Sequence, residues 1–124
     1  MSSGPETPVR EIMSTPVETV APDAPVSAAA AKMRDEEISA LLVTTAPPSI
    51  VTTTDMLDVL AGGGSVDGVT VADVMTESVE TVPPGLEVRR AAEMMTTYGI
   101  SHLPVVDDDY VGIVSSTDIT RLQS

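Results

Sequence analysis

Apolar residues in this chain keep a helical period over one stretch and a strand-like run over the next, and the alternation occurs twice. Val26, Ala29, Ala30 and Met33 fall at i, i+3, i+4 and i+7, which predicts a helix with one buried stripe, and Val88, Ala91, Ala92 and Met95 repeat it. Asp23 is the expected N-cap of the first helix, with Pro25 in its opening turn, and Gly99 ends the second. Each helix leads into an apolar strand, 38–43 and 100–106, then a tight turn and a second strand, 49–53 and 111–115. The second copy turns on Asp107, Asp108 and Asp109, a polar hairpin loop. The first turns on Pro47 and Pro48, whose missing N–H groups predict an edge or irregular position. Short helical turns at 9–13 and 71–75, β-rich stretches at 17–20 and 79–82, and closing helices at 56–60 and 119–122 complete the pattern.

The two copies are a true internal repeat. A shift of 62 residues lays Val9 to Val43 over Val71 to Val105 with 15 of 35 positions identical, among them Val17-Glu18-Thr19-Val20 on Val79-Glu80-Thr81-Val82. After a one-residue slip the match resumes, pairing Ile50 to Asp55 with Ile113 to Asp118. Each copy reads β-α-β-β-α, so the expected fold is α+β, built from two similar halves. Residues 1–8 form an N-terminal extension, 9–60 the first repeat, 61–70 a Gly-rich linker and 71–124 the second repeat. A single repeat of this size buries little surface, so the two sheets are expected to pack about a pseudo-two-fold axis, with paired clefts.

Composition narrows the function classes. Against 19 acidic residues stand 6 Lys and Arg, a net charge of −13, which disfavours coating nucleic acid or an anionic membrane. The chain has no Cys, Phe or Trp, so thiol chemistry is excluded and the core must be made of small side chains. No apolar run approaches the roughly 18 residues of a membrane span, and the N-terminus does not read as a signal peptide, so a cytoplasmic protein is expected. One lysine among abundant Asp and Glu resembles the composition of salt-accumulating halophiles, and a halophilic archaeon is the expected source.

Candidate chemistry concentrates at Thr52-x-x-Asp55 and Ser115-x-x-Asp118, each a hydroxyl at a strand end with a carboxylate three residues on. Such a pair can cap the helix that follows. It can also serve a nucleotide, the hydroxyl and helix N-terminus facing phosphate and the carboxylate accepting from vicinal ribose hydroxyls. Gly112 would let the backbone approach closely. Met33 and Met95 read as core. Asp107 to Asp109 read as a solvated loop rather than a metal site, since neighbouring residues of a hairpin cannot all face one ion.

The duplicated unit, together with Gly99-Ile100-Ser101-His102-Leu103-Pro104-Val105-Val106-Asp107 and Gly112-Ile113-Val114-Ser115-Ser116-Thr117-Asp118, resembles a tandem pair of CBS domains, also called a Bateman module. The resemblance spans residue 9 to the C-terminus. It implies two related clefts for adenosine-containing ligands such as AMP, ADP, ATP or S-adenosylmethionine, with no cofactor, and modules that dimerise into flat discs. Asp118 and Asp55 are then the ribose ligands. Ser115, Thr52 and His102 are the phosphate contacts, with Arg89 and Arg90 as further cationic candidates. Thr81, Val82, Thr19, Val20, Ile100 and Pro104 line the adenine pocket, partly through backbone groups. His102 would bring positive charge by partial protonation near neutral pH.

The copies are not equivalent. Ala40 and Leu42 stand where the second repeat has His102 and Pro104, and Ser49 stands where it has Gly112, so the site around Asp118 is expected to bind better. One histidine and no paired carboxylates on a recognisable element make catalysis unexpected. The expectation is a ligand-sensing regulatory protein that signals to an effector partner. The alternative is a structural homodimerisation or docking module with vestigial sites. The acidity favours an AMP-like or cationic ligand over bare ATP, or else requires salt or Mg²⁺ to screen the approach, and predicts binding that holds up as salt rises.

Overall fold

A computed structural model describes residues 6–63, 66–77 and 79–123. The first five residues of the N-terminal extension, and Gly64 and Ser65 of the Gly-rich linker, lie outside them. The elements follow the order predicted from the sequence. A 3-10 turn at Val9–Glu11 is followed by β1 (Thr19–Val20), α1 (Val26–Glu36), β2 (Ala40–Val43), β3 (Ser49–Thr52) and α2 (Thr53–Ala61). The second series runs α3 (Val71–Val74), α4 (Val88–Tyr98), β4 (His102–Asp107), β5 (Asp109–Ser115) and α5 (Ser116–Gln123).

The chain forms two compact units that are cut differently from the sequence repeats. One is contiguous, Glu18–Val79; the other is split, Met1–Val17 with Glu80–Ser124. Each repeat's opening segment therefore folds with the other repeat's sheet and helices. In the contiguous unit β1 pairs parallel with β2, and β2 antiparallel with β3. Thr76 then bridges Ile50 on the far side of β3, each N–H donating to the other's carbonyl at 2.8 and 3.0 Å. The split unit repeats the arrangement: Val82 bridges Val105 of β4, β4 pairs with β5, and Ser14 bridges Ile113 of β5.

The same exchange supplies the cores. The contiguous unit buries Ala29, Met33, Leu41, Val43, Val51 and Met56 around Val71. The split unit buries Ala91, Met95, Leu103, Val105, Val114 and Ile119 around Val9. Val9 and Val71 are each completely buried and sit on short turns tied down by backbone hydrogen bonds. Val9 N–H donates to the Leu86 carbonyl at 2.8 Å, and Val71 N–H to the Ala24 carbonyl at 2.9 Å.

Two expectations need correction. Asp23 does not cap α1: Pro25 occupies the N-cap position without a side-chain bond, and the Val26 N–H donates instead to the Val69 carbonyl at 3.0 Å. A carbonyl brought by the exchanged segment thus does what the aspartate was expected to do. Ala30 is exposed, so the buried stripe of α1 is Val26, Ala29 and Met33, whereas in α4 the matching Ala92 is half-buried.

The hairpin of the split unit turns at Asp108 with φ +67°, a left-handed conformation that aspartate tolerates. Gly99 ends α4 at φ +66°, as expected, while Glu37 occupies the matching position after α1 at φ +57°. A side chain in that conformation costs about 1–2 kcal/mol, partly offset in a glycine variant by its greater unfolded-state entropy. Glu37→Gly is therefore expected to stabilise the protein by about 0.5–1 kcal/mol, read as a raised midpoint in urea; an unchanged or lower midpoint would contradict this reading. Val9→Ala should cost about 2 kcal/mol despite its place near the chain's beginning, by the usual penalty for a cavity in a packed core. A neutral result in the same titration would mean that the turn does not seal the core.

Candidate functional site

Strands β3 and β5 end at Thr52 and Ser115, and in each case a helix starts at the next residue. The Thr52 N–H donates to Asp55 Oδ2 at 2.8 Å, and the Asp55 N–H returns to Thr52 Oγ1 at 3.3 Å. In the split unit the Ser115 N–H donates to Asp118 Oδ2 at 2.9 Å, and the Asp118 N–H to Ser115 Oγ at 3.1 Å. Both motifs are thus capping boxes, and both carboxylates are half-buried and held in one orientation. Capping does not consume the group, because the cap bonds fall on Oδ2 and a carboxylate offers about four acceptor positions over two oxygens.

The same spacing occurs a third time, at Thr70 and Asp73. Thr70 N–H donates to Asp73 Oδ2 at 2.9 Å at the start of α3. That pair opens a helix of four residues and follows no strand, so it is a cap alone.

Sheet register decides what stands beside each motif. His102 on β4 lies directly opposite Ser115, and Ala40 on β2 directly opposite Thr52. Directly opposed residues in an antiparallel pair present side chains about 4.5–5.5 Å apart at Cβ on one face. The split unit therefore sets an imidazole beside the hydroxyl, and the contiguous unit a methyl group.

The expected base-lining stretches take matching places. Val82 is buried and Thr81 exposed; Val82 N–H donates to the Pro104 carbonyl at 3.0 Å and the Val106 N–H to the Val82 carbonyl at 2.9 Å. In the contiguous unit, Thr19 is exposed and Val20 half-buried. There the Leu42 N–H donates to the Glu18 carbonyl at 3.0 Å. Proline at 104 has no N–H to make the corresponding bond. Pairing at Val82 accordingly shrinks to a single bridge where a strand was expected. Pro104 is buried and Ile100 half-buried against the core of the split unit.

Arg89 and Arg90 lie exposed at the start of α4. Arg89 Nη2 pairs with Glu87 Oε1 at 3.0 Å and Arg90 Nε with Glu93 Oε1 at 3.4 Å. These are exposed ion pairs, and they do not join either arginine to the Ser115–Asp118 motif. Among the described residues, no group of three or more His, Asp or Glu is placed to hold a metal ion.

Gly112 has a different reason from the one expected. A Cβ there would come within 2.5 Å of Met13 Sδ and 3.1 Å of the Ser14 carbonyl oxygen. The close approach is made by the protein's own opening segment. In the contiguous unit the matching Ser49 is buried, with its Oγ 2.7 Å from Thr45 Oγ1.

Two repeats of this topology, each with a hydroxyl–carboxylate pair between a strand and a helix, define a class of paired small α+β modules. The chain belongs to the CBS domain family, whose profile matches residues 9–62 and 71–124. It superposes on the CBS domain pair of protein MJ0100, solved with 5′-methylthioadenosine and S-adenosyl-L-methionine. That match has a TM-score of 0.82 and 33% identity over 96% of this chain and 97% of that one. It also matches the hexameric CBS-CP12 protein of bloom-forming cyanobacteria, with a TM-score of 0.87 and 29% identity over 92% of this chain and 69% of that one. In sequence it is 34% identical to inosine-5′-monophosphate dehydrogenase of Nitrosopumilus maritimus over 105 residues, 83% of this chain and 21% of that protein. A homoserine O-acetyltransferase of Methanosalsum zhilinae shares 43% identity over 61 residues, 48% of this chain and 12% of that enzyme. The chain thus spans only a small part of the enzymes it resembles.

Gly112→Ala is expected to destabilise the split unit by about 1–3 kcal/mol, the range for forcing a methyl group into filled space. Adding Met13→Ala should recover part of the loss in thermal unfolding. A Gly112→Ala protein as stable as the parent would contradict the close approach.

Proposed function

We propose that this is a regulatory CBS-pair protein that binds an adenosine-containing ligand and passes the binding event to an effector partner through a conformational or oligomeric change. The observation that carries the proposal is the register pairing of His102 with Ser115 beside the oriented carboxylate of Asp118. In this reading Asp118 accepts from the ribose hydroxyls, Ser115 and His102 receive the phosphate or its substitute, and Thr81, Val82, Ile100 and Pro104 line the base pocket. Asp55, Thr52, Thr19 and Val20 form the weaker counterpart, with Ala40 in place of the imidazole. Arg89 and Arg90, each engaging a glutamate through one nitrogen, keep further N–H donors for an anion. The ligands solved with the MJ0100 pair support an adenosine-type molecule. The short shared length with the enzymes above supports regulation over catalysis.

The charge of −13 supports an AMP-like nucleotide or the cationic S-adenosylmethionine over bare ATP. It also supports a high-salt archaeal cytoplasm as the working environment; among the described residues no helix is long and apolar enough to cross a membrane. A second reading, homodimerisation or protein docking, draws on the contiguous unit. There Leu57 and Leu60, 63% and 57% exposed, edge an apolar groove of about 270 Å³ between α1 and α2. The second repeat carries Thr120 and Gln123 at the matching positions.

Thermal unfolding in molar KCl with AMP, ADP, ATP, NAD, S-adenosylmethionine and GTP tests the proposal. A ligand at a hundred times its Kd should stabilise the protein by about 2.7 kcal/mol. By calorimetric titration well below the melting transition, Asp118→Ala should weaken binding at least tenfold, about 1.4 kcal/mol, and Asp55→Ala less. No stabilisation by any ligand would transfer the case to the docking reading, and equal losses in the two variants would overturn the asymmetry.

A further inference from the structure

Four of the chain's six Lys and Arg residues are engaged by carboxylates. Lys32 Nζ lies 3.5 Å from Glu18 Oε1 and donates to the Thr19 carbonyl at 2.7 Å, and Arg34 pairs with Asp35 at 3.0 Å. Arg89 and Arg90 hold the glutamates described above. Among the described residues, Arg10 and Arg121 make no ion pair. Arg10 sits in the opening turn with its Nη1 beside Gly85. Arg121 is exposed on α5, three residues beyond Asp118 and four beyond Thr117.

Residues three and four apart are neighbours on a helix surface, with Cβ atoms about 5–6 Å apart. Long side chains lean over the turn that precedes them, so Arg121 is directed toward the turn that holds Asp118. The two do not pair, although their spacing permits it, and Asp118 instead accepts the Ser115 N–H on Oδ2 at 2.9 Å. An oriented carboxylate and a guanidinium with its fork of N–H donors thus stand one turn apart on the same helix. The contiguous unit has Asp58 at the matching place, exposed and three residues beyond Asp55. The two motifs share their caps, and this position reverses the sign of the charge that follows them.

We infer that Arg121 is a further binding residue of the split unit's site, engaging the anionic group that an adenosine-type ligand carries beyond its ribose, and that Asp58 turns such a group away from the contiguous unit. The inference rests on the proposed reading of Asp118 as the ribose ligand. A ribose held there by its hydroxyls brings its remaining substituent within a helical turn of Arg121, which meets it from the side of α5 while Ser115 and His102 meet it from the head. Phosphate and carboxylate both accept paired N–H bonds from a guanidinium. AMP and the amino-acid end of S-adenosylmethionine therefore offer Arg121 the same chemistry, and 5′-methylthioadenosine offers neither group.

Isothermal titration of the full chain with these three ligands separates the roles. Arg121→Gln is expected to weaken AMP and S-adenosylmethionine about tenfold and to leave 5′-methylthioadenosine within about twofold, the signature of one lost charge-assisted contact. Arg121→Lys should restore part of the loss, and Arg121→Ala repeats the test should Arg121→Gln disturb folding, which a thermal melt of each variant reports. A loss confined to AMP would assign the contact to phosphate, and one confined to S-adenosylmethionine to its carboxylate. For Asp58, an amide-resolved NMR titration with AMP should show Thr52 and Asp55 shifting more in Asp58→Arg than in the parent; unchanged shifts there would overturn its role. Equal losses for all three ligands, or no loss for AMP and S-adenosylmethionine, would overturn the role of Arg121 and leave the adenosine reading standing. No binding of any of the three by the parent would overturn the adenosine reading, and the inference with it.

Discussion

Helices α1 and α4 begin without a side-chain cap, and the first N–H of each is satisfied by a carbonyl from the segment that leads into the other repeat. Val26 donates to Val69 at 3.0 Å and Val88 to Thr7 at 2.8 Å. The N–H groups so satisfied belong to Val26 and Val88, the buried first residue of each helix, so the cap is supplied by backbone rather than by a side chain. The same segments bring Val9 and Val71 into the cores and add Ser14 and Thr76 to the far edges of the sheets. Duplication of the sequence is thus matched by reciprocal completion of two folded units.

The differences between the repeats form a connected set. Gly112 makes room for Met13 and the Ser14 carbonyl, and Pro104 removes one backbone bond beside Val82. His102 faces Ser115 across the same hairpin. The first repeat instead fills the glycine's place with Ser49, bound to Thr45, and sets Ala40 opposite Thr52. The acceptor of Thr19 is taken by Lys32. The capping boxes, by contrast, are alike in both. What the repeats share orients a carboxylate at the head of a helix, and what separates them lies around it.

Much of this was legible in the sequence, because helical stripes and apolar runs are local patterns and the repeat displays each of them twice. The hydroxyl–carboxylate pairs were legible too, though spacing alone did not separate Thr52–Asp55 and Ser115–Asp118 from the plain cap at Thr70–Asp73; a preceding strand does. The exchange of opening segments was not legible, since it is a matter of which repeat a segment joins and leaves no periodic trace. Asp23 misled for that reason: a good capping residue stands next to a helix whose donor is met from a distance. Ala30 fell on the apolar stripe, yet it borders the open groove between α1 and α2.

The central claim is that an adenosine-type ligand is held where β5 gives way to α5, at Ser115 and Asp118. An amide-resolved NMR titration with S-adenosylmethionine tests this most directly. The account predicts saturable shifts at Thr81, Val82, Ser115 and Asp118, with the Thr19 and Thr52 amides moving far less. Saturable binding whose shifts leave Ser115 and Asp118 unmoved would contradict it.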